Sequence, residues 1–202
     1  RGCVRTALRN ERFAVFHSFF YTHNKNKAIG AAAAAVFFLF AAGAGAATRT
    51  WTGTTDTNWS TAANWSGSTV PAAGDDVEVN TTTTNNYPSI AADVTVNKIT
   101  IKGMATVTLQ SGTLTLTELD CQGSGKYLGN GSSNSGTGTT KFTGTTAKFK
   151  TSNNSTSFGK LEIASGATLT VDTTSSNVEF NVTKDCKNEG TLALMGTNAA
   201  TV

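Results

Sequence analysis

The chain has 202 residues, 14% of them charged and 38% hydrophobic, and a formal net charge of +3. The basic excess is confined to one end: residues 1–46 hold six Lys/Arg and one acid, while the rest holds ten Lys/Arg against twelve Asp/Glu, a net of −2. Nucleic acid is therefore excluded as an expected partner, since its recognition needs a basic footprint on the folded domain.

The first segment reads as a secretory leader. Arg1, Arg5, Arg9, Arg12, Lys25 and Lys27 face a single acid, Glu11, and residues 28–47 then run without a charge. The hydrophobic weight lies in Val36-Phe37-Phe38-Leu39-Phe40, and Ala42-Gly43-Ala44-Gly45-Ala46 offers two overlapping small-residue cleavage sites. A positive start, an apolar core and a small-residue exit make residues 1–46 a signal peptide, cut after Ala46 with Ala44 as the second choice. Its apolar core of about a dozen residues is short of the ~20 that span a bilayer. The mature protein is expected to be secreted or at the cell surface, exported by a Sec-type route. No cysteine lies beside the cleavage region to carry a lipid. Any membrane contact is expected only through the leader or a C-terminal anchor outside this chain. The chain opens on Arg1, has its first methionine at Met104, and ends at Thr201-Val202 after the strand-like Leu192-Ala193-Leu194. It is expected to be part of a longer protein.

His17 and His23 both fall in the leader, and only Arg49 among the arginines follows it. The mature part cannot run Ser-His-Asp or Cys-His chemistry, lacks imidazole for the common zinc sites, and has no arginine cluster for lyase or phosphoryl-transfer work. No catalysis and no cofactor are expected.

Residues 47–80 form a tryptophan-rich segment. It carries Thr50-Trp51-Thr52-Gly53, Asn58-Trp59, Asn64-Trp65-Ser66, Val70-Pro71 and Gly74-Asp75-Asp76-Val77-Glu78-Val79. Trp59 and Trp65 are candidate carbohydrate-binding residues, because aromatic faces stack on sugar rings. The competing role, and the expectation here, is to plug one end of a stacked fold that needs a cap to stay soluble. Asp75 and Asp76 are weak candidates for Ca²⁺ oxygen ligands, and more ordinarily make a turn and strand entry, so no metal is expected. Asn-x-Ser/Thr sequons stand at Asn58, Asn64, Asn80, Asn130, Asn153, Asn154 and Asn181. In a chain so rich in Asn and Thr, composition alone produces many of them.

Residues 81–202 read as β-solenoid coils. Val94-Thr95-Val96, Ile99-Thr100-Ile101, Val107-Thr108-Leu109, Leu114-Thr115-Leu116, Leu161-Glu162-Ile163 and Leu169-Thr170-Val171 alternate apolar with polar residues, as half-buried strands do. Threonine suits the outward positions, its branched Cβ favouring extended backbone while its hydroxyl stays wet. Strands 6–10 residues apart are too tightly spaced for a typical sandwich. The stretch 123–144, rich in Gly, Ser, Asn and Thr, reads as a long loop or irregular coil, and 141–150 as a mildly basic, solvated strand face. Self-comparison aligns 98–109 with 160–171 and Asp120-Cys121-Gln122-Gly123-Ser124-Gly125 with Asp185-Cys186-Lys187-Asn188-Glu189-Gly190. Repeats over about 98–129 and 160–196 fit three coils of roughly 21 residues. Cys121 and Cys186 would then sit ~14 Å apart at ~4.8 Å per coil, too far for a disulfide, as buried small hydrophobes.

The W-x-G…W…N-W…P-x-x-G-D-x-V pattern over about residues 50–116 resembles the opening of bacterial secreted β-solenoid proteins, including adhesins and autotransporter passenger regions. It is also similar to the G8 domain of extracellular proteins. The resemblance implies an all-β, right-handed parallel β-helix with an N-terminal Trp-rich cap. It implies an adhesin-like or surface-structural protein, displayed on the cell surface or outer membrane, whose partners are surface glycans or host and cell-surface proteins. The alternative is the N-terminal module of a carbohydrate-active enzyme or carbohydrate-binding protein, for which Glu118, Asp120, Asp172, Glu179 and Asp185 are the available acids.

Overall fold

The structure, a computed structural model, describes residues 46–84, 86–131, 135–152, 156–173 and 180–196. The signal peptide assigned to 1–46 lies almost wholly outside them, as do Glu179, Asn153 and Asn154. The described residues belong to one compact unit, Ala41–Val202, and none of their helices is long and apolar enough to cross a membrane.

In chain order the strands are β1 (Thr48–Thr50), β2 (Asp76–Val79), β3 (Ser89–Ile90), β4 (Val94–Thr95), β5 (Lys98–Ile101) and β6 (Thr106–Leu109). There follow β7 (Thr113–Leu116), β8 (Glu118–Cys121), β9 (Lys126–Leu128), β10 (Thr139–Phe142), β11 (Ala147–Thr151) and β12 (Ser157–Phe158). The last are β13 (Lys160–Ile163), β14 (Thr168–Thr173), β15 (Asn181–Val182), β16 (Cys186–Asn188) and β17 (Thr191–Gly196). Sheet 1 stacks β1-β2-β5-β8-β11-β14-β17, sheet 2 stacks β3-β6-β9-β12-β15, and sheet 3 stacks β4-β7-β10-β13-β16. Each coil visits the three sheets in turn and every named pairing is parallel, which makes a β-solenoid of five coils from β2 to β16, with β17 opening the next rung of sheet 1.

Stacking puts like on like. The row Val77, Ile99, Leu119, Phe149 and Val171 runs in register through sheet 1, every member buried. Each such aliphatic or aromatic burial stabilises by about 1.5–3 kcal/mol. Threonines take the outward slots of β6 and β7, as the alternation predicts. β1 and β2 are already rungs of sheet 1, so the stack begins inside the stretch read as cap.

Three expectations need correction. First, the coil lengths along sheet 1 are 22, 20, 30, 22 and 23 residues, from Val77 through Ile99, Leu119, Phe149 and Val171 to Leu194. Three coils on from Ile99 lies Val171, not Leu161. The repeat at an offset of 62 therefore matches β5–β6 (sheets 1 and 2) with β13–β14 (sheets 3 and 1). What recurs is a strand–corner–strand unit, used at a different corner of the stack. Ala105 and Ala167 close the two corners alike, their N–H groups donating to Lys102 O (3.2 Å) and Ala164 O (2.9 Å). The glycines of the second aligned block, Gly125 and Gly190, lie over those corners. A Cβ on either would come within 2.4 Å of Ile101 O or 2.3 Å of Ala167 O.

Second, of the two readings of 123–144 the single long loop fails and the irregular coil holds, since the stretch contains β9 and β10 within the 30-residue coil from Leu119 to Phe149. Thr140 takes an inward slot in register with Leu114 and Leu161, which breaks the apolar alternation there.

Third, both cysteines are free, but only Cys121 is buried. Cys186 holds an inward register position opposite Leu161, yet β16 is the edge of sheet 3, with no described strand beyond it.

Candidate interaction faces

The outer face of sheet 1 carries two charged rows. One runs Asp76, Lys98, Glu118, Lys148; the other runs Glu78, Thr100, Asp120, Lys150, Asp172. Strand stacking at ~4.8 Å brings acid beside base from coil to coil. Glu118 Oε1 lies 3.0 Å from Lys98 Nζ and 3.3 Å from Lys150 Nζ, and Lys102 Nζ lies 2.8 Å from Glu78 Oε1. Burial pushes the Glu118 carboxyl up, but the two lysines outweigh it and hold the group below the usual carboxylate range. Asp120, 8% exposed although it faces outward, accepts a hydrogen bond from Gln122 Nε2 at 2.7 Å. On sheet 3, Lys141, Glu162 and Lys187 form a shorter row, with Lys141 Nζ 2.7 Å from Glu162 Oε1. The basic stretch 141–150 is thus divided between two sheets, with Lys141 and Lys150 each beside a glutamate.

The acids weighed for carbohydrate chemistry fall on different surfaces. Glu118, Asp120 and Asp172 share the outer face of sheet 1, with Asp120 and Asp172 on either side of Lys150. Asp185 is exposed just before β16, on the sheet 3 side.

The tryptophans are brought together. Trp51, Trp59 and Trp65 are each 2% exposed and meet edge to face, with centroids 4.9 Å apart for Trp51–Trp65 and 4.7 Å for Trp59–Trp65. Trp65 Nε1 donates to Trp59 O and Trp51 Nε1 to Asn86 O, both at 2.7 Å. Buried to this extent, neither Trp59 nor Trp65 offers an open ring face. Asn64, read in the sequence as part of the Asn-Trp pattern and as a sequon, organises this segment. Its buried amide accepts from Thr55 N and Asp56 N and donates to Asp56 Oδ1 (2.6 Å) and Asn58 O (3.2 Å). The paired Asn-Trp steps at 58–59 and 64–65 were the available sign.

Asp75 is buried with its oxygens engaged: Oδ1 accepts from Ala47 N (2.9 Å), and Oδ2 from Ala72 N (3.0 Å) and Arg49 Nε (3.4 Å). The backbone donors, first Ala72 and then Ala47, hold its pKa low. Asp76 Oδ1 accepts from Asn97 Nδ2 at 2.7 Å. Among the described residues no group of three or more His, Cys, Asp or Glu is placed to hold a metal ion.

Against this geometry, residues 50–134 match a family model described as a domain of unknown function (DUF8693). The match runs from the end of β1 through the tryptophan segment and the first coils to just beyond β9. No curated protein matches the chain, and no solved structure matches it. The interior of the later coils, outside or at the limit of that match, holds a second aromatic cluster that the alternation did not single out. Tyr127, Phe142, Phe149 and Phe180 all pack around Phe158, with centroids 5.1–6.2 Å from it.

Proposed function

We propose that this is an exported, adhesin-like or surface-structural protein that binds a partner through an outer face of its solenoid and performs no chemistry. One observation supports the reading above the others: sheet 1 presents in-register rows of acids and lysines over five strands, from Asp76 and Glu78 to Asp172. Repeating charge at a fixed spacing gives a polar surface whose complementarity selects a partner and steers its approach. The acids there are fixed contact groups: Glu118 is pinned by two ammonium groups and kept ionised. Surface glycans and cell-surface proteins are the partner classes that suit such a face, and the leader supplies the route to the surface. The test is binding of the purified protein to intact cells and to a glycan array, with Lys98→Glu and Lys150→Glu variants. Binding that weakens at least tenfold in both variants and falls with salt supports the reading. Binding unchanged in both overturns it.

A carbohydrate-active module is the second reading, carried by Asp120 and Asp172. Two rungs of sheet 1 place their strands ~9.6 Å apart, near the upper end of the 6.5–9.5 Å that separates carboxylates in inverting glycoside hydrolases. Reducing-sugar release from a polysaccharide panel, abolished by Asp120→Asn, would establish it in place of the binding reading.

A further inference from the structure

The sequence offers two neighbouring cuts at the end of the leader, after Ala44 or after Ala46, and the fold treats them differently. Ala46 is exposed and Ala47 half-buried. Ala47 is also engaged through both halves of its backbone. Its carbonyl accepts from Asp76 N and its N–H donates to Asp75 Oδ1, both at 2.9 Å. One residue later β1 begins, with Thr48 in register with Asp76. The nitrogen of Ala47 is thus held against the carboxylate by the first pairing of sheet 1.

Asp75 is 5% exposed. Its Oδ2 serves its own turn, accepting from Ala72 N three residues back at 3.0 Å, an ordinary local use of an aspartate. Oδ1 reaches instead across 28 residues to Ala47. The Ala72 and Ala47 N–H groups hold the carboxyl ionised. The cation facing it is Arg49 of β1, whose Nε stands 3.4 Å from Oδ2, longer than the ~2.7–2.9 Å of a strong charged hydrogen bond. Asp76, next along the chain, accepts from Asn97 Nδ2 and stands in register with Lys98. A buried carboxylate is costly unless an opposite charge compensates it, and Oδ1 meets only a neutral amide.

We infer that the leader is removed between Ala46 and Ala47, and that the cut turns this amide contact into an ion pair between the new α-ammonium and Asp75. Hydrolysis consumes one water: the C–N bond between the two alanines breaks, and Ala46 leaves as a carboxylate. The Ala47 amine takes up a proton below about pH 8. The nitrogen then carries three donors and a full charge where it carried one N–H. A cut after Ala44 would put the amine two residues, about 7 Å of extended chain, before that nitrogen, and Asp75 would keep its amide. The inference rests on the export half of the reading above and adds that processing completes the first rung. A carboxylate partner raises the pKa of the amine above its unfolded value near 8. The stability gained is complete below that unfolded value and is lost as pH rises through the folded one.

The test is to express the full chain with its leader in a Sec-competent bacterial host and to read the first residue of the exported protein by mass. Acetylation of its α-amine is then followed against pH, in the folded protein and in urea. The product is expected to begin at Ala47. Its amine should titrate about one unit or more higher when folded, and react about fivefold or more slowly at pH 8 than in urea. Burial alone would slow the reaction but lower the midpoint, so the midpoint decides. In Asp75→Asn the folded midpoint should fall to the urea value or below, and the wild-type comparison stands even where that variant does not fold. A product beginning at Gly45 overturns the inference and leaves export standing. So does a product beginning at Ala47 whose amine titrates at or below its value in urea. A chain recovered uncut overturns the inference and the export reading together.

Discussion

The hydroxyls of Tyr127 and Thr140 meet at 2.7 Å in the interior of the solenoid, one from sheet 2 and one from sheet 3. Tyr127 has no exposed surface, and burial pushes its phenol well above its usual range, so the group stays neutral. Each hydroxyl is the other's partner in the buried interior. Tyr127→Phe or Thr140→Val alone should cost about 1–3 kcal/mol, because each strands a buried polar atom, while the double variant should recover most of that loss. Urea unfolding of the four proteins measures the coupling directly.

Glu118 supplies a pH dependence of definite sign. Its carboxyl is held below its ordinary value of 4.5 in the folded protein, so the stability it contributes is complete above that value. It is lost as pH falls through the lower, folded value. Glu118→Gln should therefore lower the unfolding free energy by about 1 kcal/mol at pH 7 in low salt, and the difference from wild type should shrink below about pH 4. A gap that stays constant down to pH 3 would mean that the lysines do not stabilise the charge.

Gly125 and Gly123 make a matched pair of tests. A Cβ on Gly125 would press on the backbone carbonyl of Ile101 in the coil before, whereas one on Gly123 meets nothing within 4 Å and faces only the strain of a φ of +62°. Gly125→Ala should cost about 2–3 kcal/mol by forcing two coils apart. Gly123→Ala should cost about 1–2 kcal/mol. Thermal melts followed by circular dichroism would rank them.

The two free thiols should react at different rates. Burial, helped by the charge of Asp120 and opposed by the Thr156 hydroxyl, pushes the Cys121 thiol up to about 12, while Cys186 is exposed. At pH 8 iodoacetamide should label Cys186 quickly and Cys121 only after unfolding, as read by peptide mass mapping.

Removing the centre of the tryptophan cluster should be the most damaging single change in the segment between β1 and β2. Trp65→Ala takes away a ring packed against both Trp51 and Trp59 and should cost about 3–5 kcal/mol. Light scattering should then rise with the loss of stability, since the same segment covers the edge of β3 through Trp59 N–Ser89 O and Ser89 N–Thr57 O.

Much of this fold was legible because one face is buried in each strand of four or more residues from β2 to β14. β2, β6, β7 and β13 alternate strictly, and sequence periodicity finds them. β3, β12 and β15 have two residues each, too few for any period to register. β10 was hidden by Thr140, a polar side chain in an inward slot whose partner lies thirteen residues away. The direction in which Trp59 and Trp65 face was not legible either. A tryptophan serves a cap and a sugar platform equally well, and Asn64, which settles the local packing, resembles any other asparagine until its four hydrogen bonds are drawn. The charged rows were invisible because their members are 20 to 30 residues apart in the chain and meet only once the coils are in register.

The corner unit shared by β5–β6 and β13–β14 has an arithmetical consequence. The two copies are eight strands apart on a stack with three sides, so the second is turned by one strand position relative to the first. A gene that grew by copying such blocks would not lay identical patches along one flank. It would wind them around the axis like a screw thread, returning to the starting side only with the third further copy, and partners bound at successive copies would point in different directions.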